Sequence, residues 1–132
     1  MKRTIAALIV LSLCVFHDPV QAQTDGCPQF ASLVARQKEP ITVTNAAAVG
    51  LTLSVYRPTD GSPQAICAII QNADTASDVL RYWGAATPTT SDGQRLLAGA
   101  TVMVGPLNLS TVRMIAESGD VPVMVQYLVQ VQ

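Results

Sequence analysis

The sequence predicts an all-β protein, a single antiparallel β-sandwich of Greek-key or jelly-roll type with about seven or eight strands. Three observations predict it. Apolar residues recur at every second position in short runs, as in Leu51, Leu53, Val55 and again in Val121, Val123, Val125, Tyr127, Val129. The runs are separated by turn residues at Gly99, Gly105-Pro106 and Ser118-Gly119-Asp120. Most residues outside the turns are β-branched or take part in that alternation, which suits a pleated, half-buried surface.

The chain begins with Lys2 and Arg3, a mostly apolar run over residues 5–16, and a polar segment ending Val20-Gln21-Ala22-Gln23. Charge, apolar run and small residues in that order make residues 1–22 a secretory signal peptide cut after Ala22. The run is too short for a membrane anchor, which needs about 20 residues. Leu13 ahead of Cys14 is too large for a lipoprotein cleavage site. Removal takes away the only histidine, His17, together with Cys14. Eight acids and six bases then remain, a net charge of −2.

The retained cysteines, Cys27 and Cys67, are expected to form one disulfide, because an even pair in an exported domain meets an oxidising compartment. Residues 23–40 form an N-terminal arm tied down by that bond, and residues 41–132 form the sandwich. Within the arm, Phe30, Leu33 and Val34 stand at i, i+3 and i+4 and predict a short helix ended by Pro40. The first strand follows over residues 41–44, with Ile41 and Val43 inward. Residues 51–56 give a second strand, stopped by Arg57-Pro58 and a turn at Thr59-Asp60-Gly61. Residues 65–70 have no polar member and read as a central strand covered on both faces.

After a loop at residues 72–77, residues 79–83 form a strand with Val79, Arg81 and Trp83 on one face and Leu80 and Tyr82 on the other. A long Pro/Thr/Ser loop then runs to Gly93. Residues 96–97, 101–104, 111–117 and 121–131 complete the set, with Pro122 marking an edge or strand-entry position. Arg81 and Arg113 lie mid-strand, where each needs a carboxylate such as Asp78 or Glu117.

The chemistry narrows by exclusion. Without histidine there is no Ser-His-Asp or Cys-His nucleophile and no histidine-based metal site. Carboxylate pairs from Asp74, Asp78, Asp92 and Asp120 remain for glycosidase-like chemistry, but each adjoins turn residues, where Asp serves the backbone. No catalytic residue, metal or cofactor is assigned, and the expectation is a protein that is not an enzyme. No basic cluster suits nucleic acid, and no apolar run after residue 22 is long enough to cross a membrane. The sharper hypothesis concerns Tyr56, Tyr82, Trp83 and Tyr127, whose faces would stack on sugar rings or on a protein partner. Against it, a lone Trp in a small sandwich reads first as a core anchor. Asn108-Leu109-Ser110 matches the N-glycosylation acceptor tripeptide, a pattern common by chance.

The segment Arg81-Tyr82-Trp83-Gly84, the Thr/Pro loop to Asp92-Gly93, Leu96, Gly99, and Val112-Arg113-Met114-Ile115-Ala116 with the alternation from Val121 to Tyr127 resemble small β-sandwich proteins of tailed-bacteriophage structural modules. The likeness covers residues 41–128. It implies a non-enzymatic structural or decorating subunit that works through its surfaces, by self-association or with a protein partner. A virion protein assembled in the cytoplasm needs neither a signal peptide nor a disulfide, so an exported cell-envelope relative stands beside the virion role. The alternative is a carbohydrate-binding or adhesin-like domain.

Overall fold

A computed structural model of the chain describes Cys27 and residues 32–131. The signal peptide expected over residues 1–22 and Phe30 of the expected helix lie outside the described residues. Seven strands form two antiparallel sheets. Strands β1 (Leu33–Thr44), β7 (Asp120–Gln130), β2 (Cys67–Asn72) and β5 (Thr101–Val104) lie side by side in that order, and β4 (Gln94–Leu96), β3 (Leu80–Trp83) and β6 (Arg113–Ala116) make the smaller sheet. Among the described residues no helix is long and apolar enough to cross a membrane.

The core lies between the sheets. Val121, Val123, Val125, Tyr127 and Val129 are all buried, as their period of two requires. The first four meet Val43, Ile70 and Val102 of their own sheet and Leu80, Leu96 and Met114 of the other. β2 is the central strand its apolar run predicts, with β7 on one side and β5 on the other. Cys67 faces away from the main core and is covered there by Cys27, to which it is disulfide-bonded across a sequence separation of 40. Leu33, Ile66, Ile69, Met103 and Leu128 complete this second apolar cluster. Pro122 takes the strand-entry position: its carbonyl accepts from Ala73 N–H at 2.8 Å, beyond the last β2–β7 register pair, Asn72 with Val123.

Two local expectations are corrected. Leu33 and Val34 open β1 instead of a helix, and the strand expected from residue 41 begins at Leu33. Pairing with the long β7 outweighs a helical spacing that spans only two turns, and Pro40 is tolerated because β1 is an edge strand. The strand expected over residues 51–56 is instead a single helical turn, α1 (Leu53–Tyr56). Thr52 O accepts from Val55 N–H and Tyr56 N–H, so the chain turns where alternation suggested it would extend. Leu53 is 59% exposed, whereas Tyr56 is buried.

That turn is held by a half-buried carboxylate on the inner side of β1. Glu39 accepts from Thr52 Oγ1 and, at 2.5 Å, from Tyr127 Oη. Tyr127 is 1% exposed and stacks on Tyr56 with ring centroids 6.4 Å apart. Burial, with the Glu39 hydrogen bond and charge beside it, pushes the Tyr127 phenol far above its ordinary 10.0. The folded state therefore keeps a proton that the unfolded chain loses above pH 10, so this phenol's contribution is complete below pH 10 and is lost as pH rises beyond it. Tyr127→Phe is expected to cost about 1–2 kcal/mol at neutral pH. It should also flatten the alkaline fall in stability, as measured by urea midpoints for both proteins from neutral pH to about pH 11.

Candidate functional site

β3 ends at the side of the sandwich where β5 forms the edge of the facing sheet, and a cleft of about 180 Å³ opens between them. Its walls are Tyr82, Trp83 and Gly84 from β3 and the following residue, Gln94 from β4, Val102 to Val104 from β5, and Asn108 and Val112 from the connection to β6. Trp83, first read as a core anchor, is 38% exposed here. The correction has a physical cause. The inner positions of β3 belong to Leu80 and Tyr82, so period two turns Trp83 outward, opposite Arg113 of β6. Tyr82 and Trp83 reach the cleft together because the strand stops there, although they leave β3 on opposite faces.

The cleft wall is built rather than loose. Thr111 Oγ1 donates to Gly84 O, and Asn108 O accepts from Val112 N–H at 2.8 Å. A Cβ added at Gly84 would come within 3.1 Å of the Asn108 carboxamide, so a larger residue there requires that side chain to shift by a few tenths of an ångström. Half-buried Asn108, first residue of the glycosylation tripeptide, is thus part of the wall. The site's chemistry is two aromatic rings, two carboxamides and an apolar floor, with no charged side chain lining it.

The other sequence candidates fall elsewhere. Tyr56 and Tyr127 belong to the core. Tyr56 also borders a second cleft of about 300 Å³ with Arg57, Gln64 and Leu109. Asp74 and Asp92 serve turns, Asp78 links to a distant serine, and Asp120 opens β7. Asp74 Oδ2 accepts from Ala76 N–H and Asp78 N–H, Asp92 Oδ1 accepts from Gly93 N–H, and Asp78 Oδ1 accepts from Ser118 Oγ. Among the described residues no three of His, Cys, Asp and Glu gather as metal ligands do.

Arg81 finds Glu117 at 2.7 Å and donates to Gly93 O at 3.0 Å, while Arg95, its cross-strand neighbour, reaches the same carboxylate at 2.9 Å. One acid thus offsets two adjacent guanidiniums and ties β4 to β3 and β6. Arg113, expected to need a carboxylate, instead donates to the carbonyls of Ser110 and Val112.

Gln94 and Asn108 are the site residues that sequence reasoning missed. A lone amide in a strand or turn carries no signal of its own, and only the approach of β4 and the residue 105–111 connection to Trp83 gives them a shared role. No protein-family model matches the chain, and neither does any curated protein or solved structure.

Proposed function

We propose that this protein is an exported, non-catalytic β-sandwich that acts through its surfaces as a structural or interaction module, in a phage-like virion or in the cell envelope. The observation that carries the reading is Trp83. A large aromatic standing 38% exposed over an uncharged cleft is the kind of anchor that binding surfaces use. The Cys27–Cys67 disulfide supports the exported setting, because such bonds persist in oxidising compartments. The test follows the native protein through density-purified particles, envelope and medium, beside a Trp83→Ala variant. Retention in particles or envelope that the variant loses while still folded supports the module. Wild-type protein found free in the medium alone counts against it.

Carbohydrate binding is the second reading, favoured by one specific feature: Tyr82 and Trp83 share their cleft with the carboxamides of Gln94 and Asn108. Rings stack on the C–H faces of sugars, and amides pair with vicinal hydroxyls. Trp83 is the only tryptophan in the chain, so its fluorescence reports this site alone. Titration with neutral oligosaccharides should shift that emission, and immobilised glycan should retain the wild type but not the folded Trp83→Ala variant. Equal retention of both proteins rules the cleft out as a sugar site.

A further inference from the structure

The two sheets have four outer edges among the described residues, and three are defended. β1 carries Arg36, Lys38, Pro40 and a register shift between Ala35 and Gln37. β4 carries Arg95. β6 is bridged by Val49, whose N–H and C=O both bond Met114 at 2.8 Å. Charges, proline, bulges and covering segments are the usual means by which a sheet edge avoids pairing with another chain. β5, Thr101-Val102-Met103-Val104, shows none of them among the described residues.

The hydrogen-bond phase of β5 follows from its neighbour. Asn72 N–H donates to Ala100 O at 3.0 Å, so Val102 and Val104, opposite Ile70 and Ala68, exchange their backbone bonds with β2. Thr101 and Met103 therefore turn their N–H and C=O groups away from the sheet. We propose that the protein forms a two-fold dimer in which β5 pairs antiparallel with β5 of a second copy, about an axis at Val102. The proposal deepens the interaction-module reading by naming its partner.

Self-pairing fits this edge in two ways. An axis at Val102 brings Thr101 opposite Met103 of the second copy, so the outward-pointing groups of each meet. From Leu96 to Val112 the sequence holds no charged residue, so two copies approach along this edge without like-charge repulsion and with no charge left unpaired. The result joins two four-stranded sheets into one. Because Val102 and Met103 also line the Trp83 cleft, the second copy closes one side of it.

Sedimentation velocity of the full disulfide-bonded chain, from micromolar to submillimolar concentration, tests this. The wild type is expected to dimerise. Met103→Pro removes an outward N–H while leaving the ladder to β2 intact, and should weaken the dimer roughly 30-fold through the loss of two symmetry-related hydrogen bonds. Thr101→Lys places like charges along the joined edge and should weaken it as well. It decides the matter alone if circular dichroism shows Met103→Pro unfolded. Thr42→Lys, on β1, should change nothing. A wild type monomeric throughout overturns the proposal, as does a dimer indifferent to the folded β5 variants or broken by Thr42→Lys. These results are separate from the Trp83→Ala retention assays, so failure of the dimer and failure of the broader reading are distinguishable.

Discussion

Replacing Asn72 by alanine is expected to lower the folding free energy by about 3–4 kcal/mol, a large part of the 5–15 kcal/mol typical of a single domain. Asn72 is the one buried polar side chain in the described core, with 0% exposure. Its Nδ2 donates to Asp78 O at 2.9 Å and to Leu96 O at 3.0 Å, and its Oδ1 accepts from Asp74 N–H at 3.0 Å. One side chain at the end of β2 thus joins the larger sheet to both β4 and the approach to β3. Alanine would leave two carbonyls and an N–H with weakened or no partners at a site where each costs about 1–3 kcal/mol. Asn72→Asp, nearly identical in shape, should be at least as damaging, because a carboxylate oxygen would face two carbonyl oxygens. Urea denaturation measures both, with Gln71→Ala as an exposed neighbour expected to change stability by less than about 0.5 kcal/mol. A small effect for both Asn72 variants would mean that the carboxamide does not hold the sheets together.

The second large effect is expected at the disulfide. Changing Cys27 and Cys67 together to alanine should cost about 3–4 kcal/mol, the chain-entropy value for a loop of this length. Alanine is the right replacement because Cys67 is fully buried and serine would place a hydroxyl there. Cys27, Cys67 and Leu128 form a cluster on the far side of the larger sheet, so the bond also holds an apolar cover over β2 and β7. The wild type in a thiol reductant should match the double variant in urea midpoint. A double variant as stable as the oxidised wild type would show the bond to be incidental to the fold.

What the sequence made legible follows how local its causes are. The inward row from Val121 to Val129 and the central place of β2 could be read directly, because period two and an unbroken apolar run are properties of the segments themselves. The cysteine pair was legible from the parity of the two cysteines that follow residue 22. The segment around α1 was not, because its conformation is set by Glu39, distant in sequence, which takes the Thr52 hydroxyl and holds the turn against β1. Asn72 looked like the first loop residue, and nothing nearby announces that its carboxamide reaches Leu96. Of the four aromatic candidates, pattern alone set Tyr82 and Trp83 on opposite faces. Their common cleft depends on where β3 ends and which edge stands opposite, a fact of sheet packing that no single segment encodes.

The pairing of β1 with β7 sets the order in which this protein can fold. Ser32 O accepts from Val131 N–H, and Leu33 lies opposite Gln130, so the two ends of the described chain are neighbours. β7 is also the strand between β1 and β2, so β1 has no partner strand and β2 has only β5 until β7 is present. A chain emerging N-terminus first must carry an unpaired β1 until β7 has followed it, while β2 can already pair with β5. Contacts of such long sequence separation place folding at the slow end for a domain of this size. The charges and proline of β1 therefore act before the native state exists, keeping a waiting strand from pairing with the wrong chain.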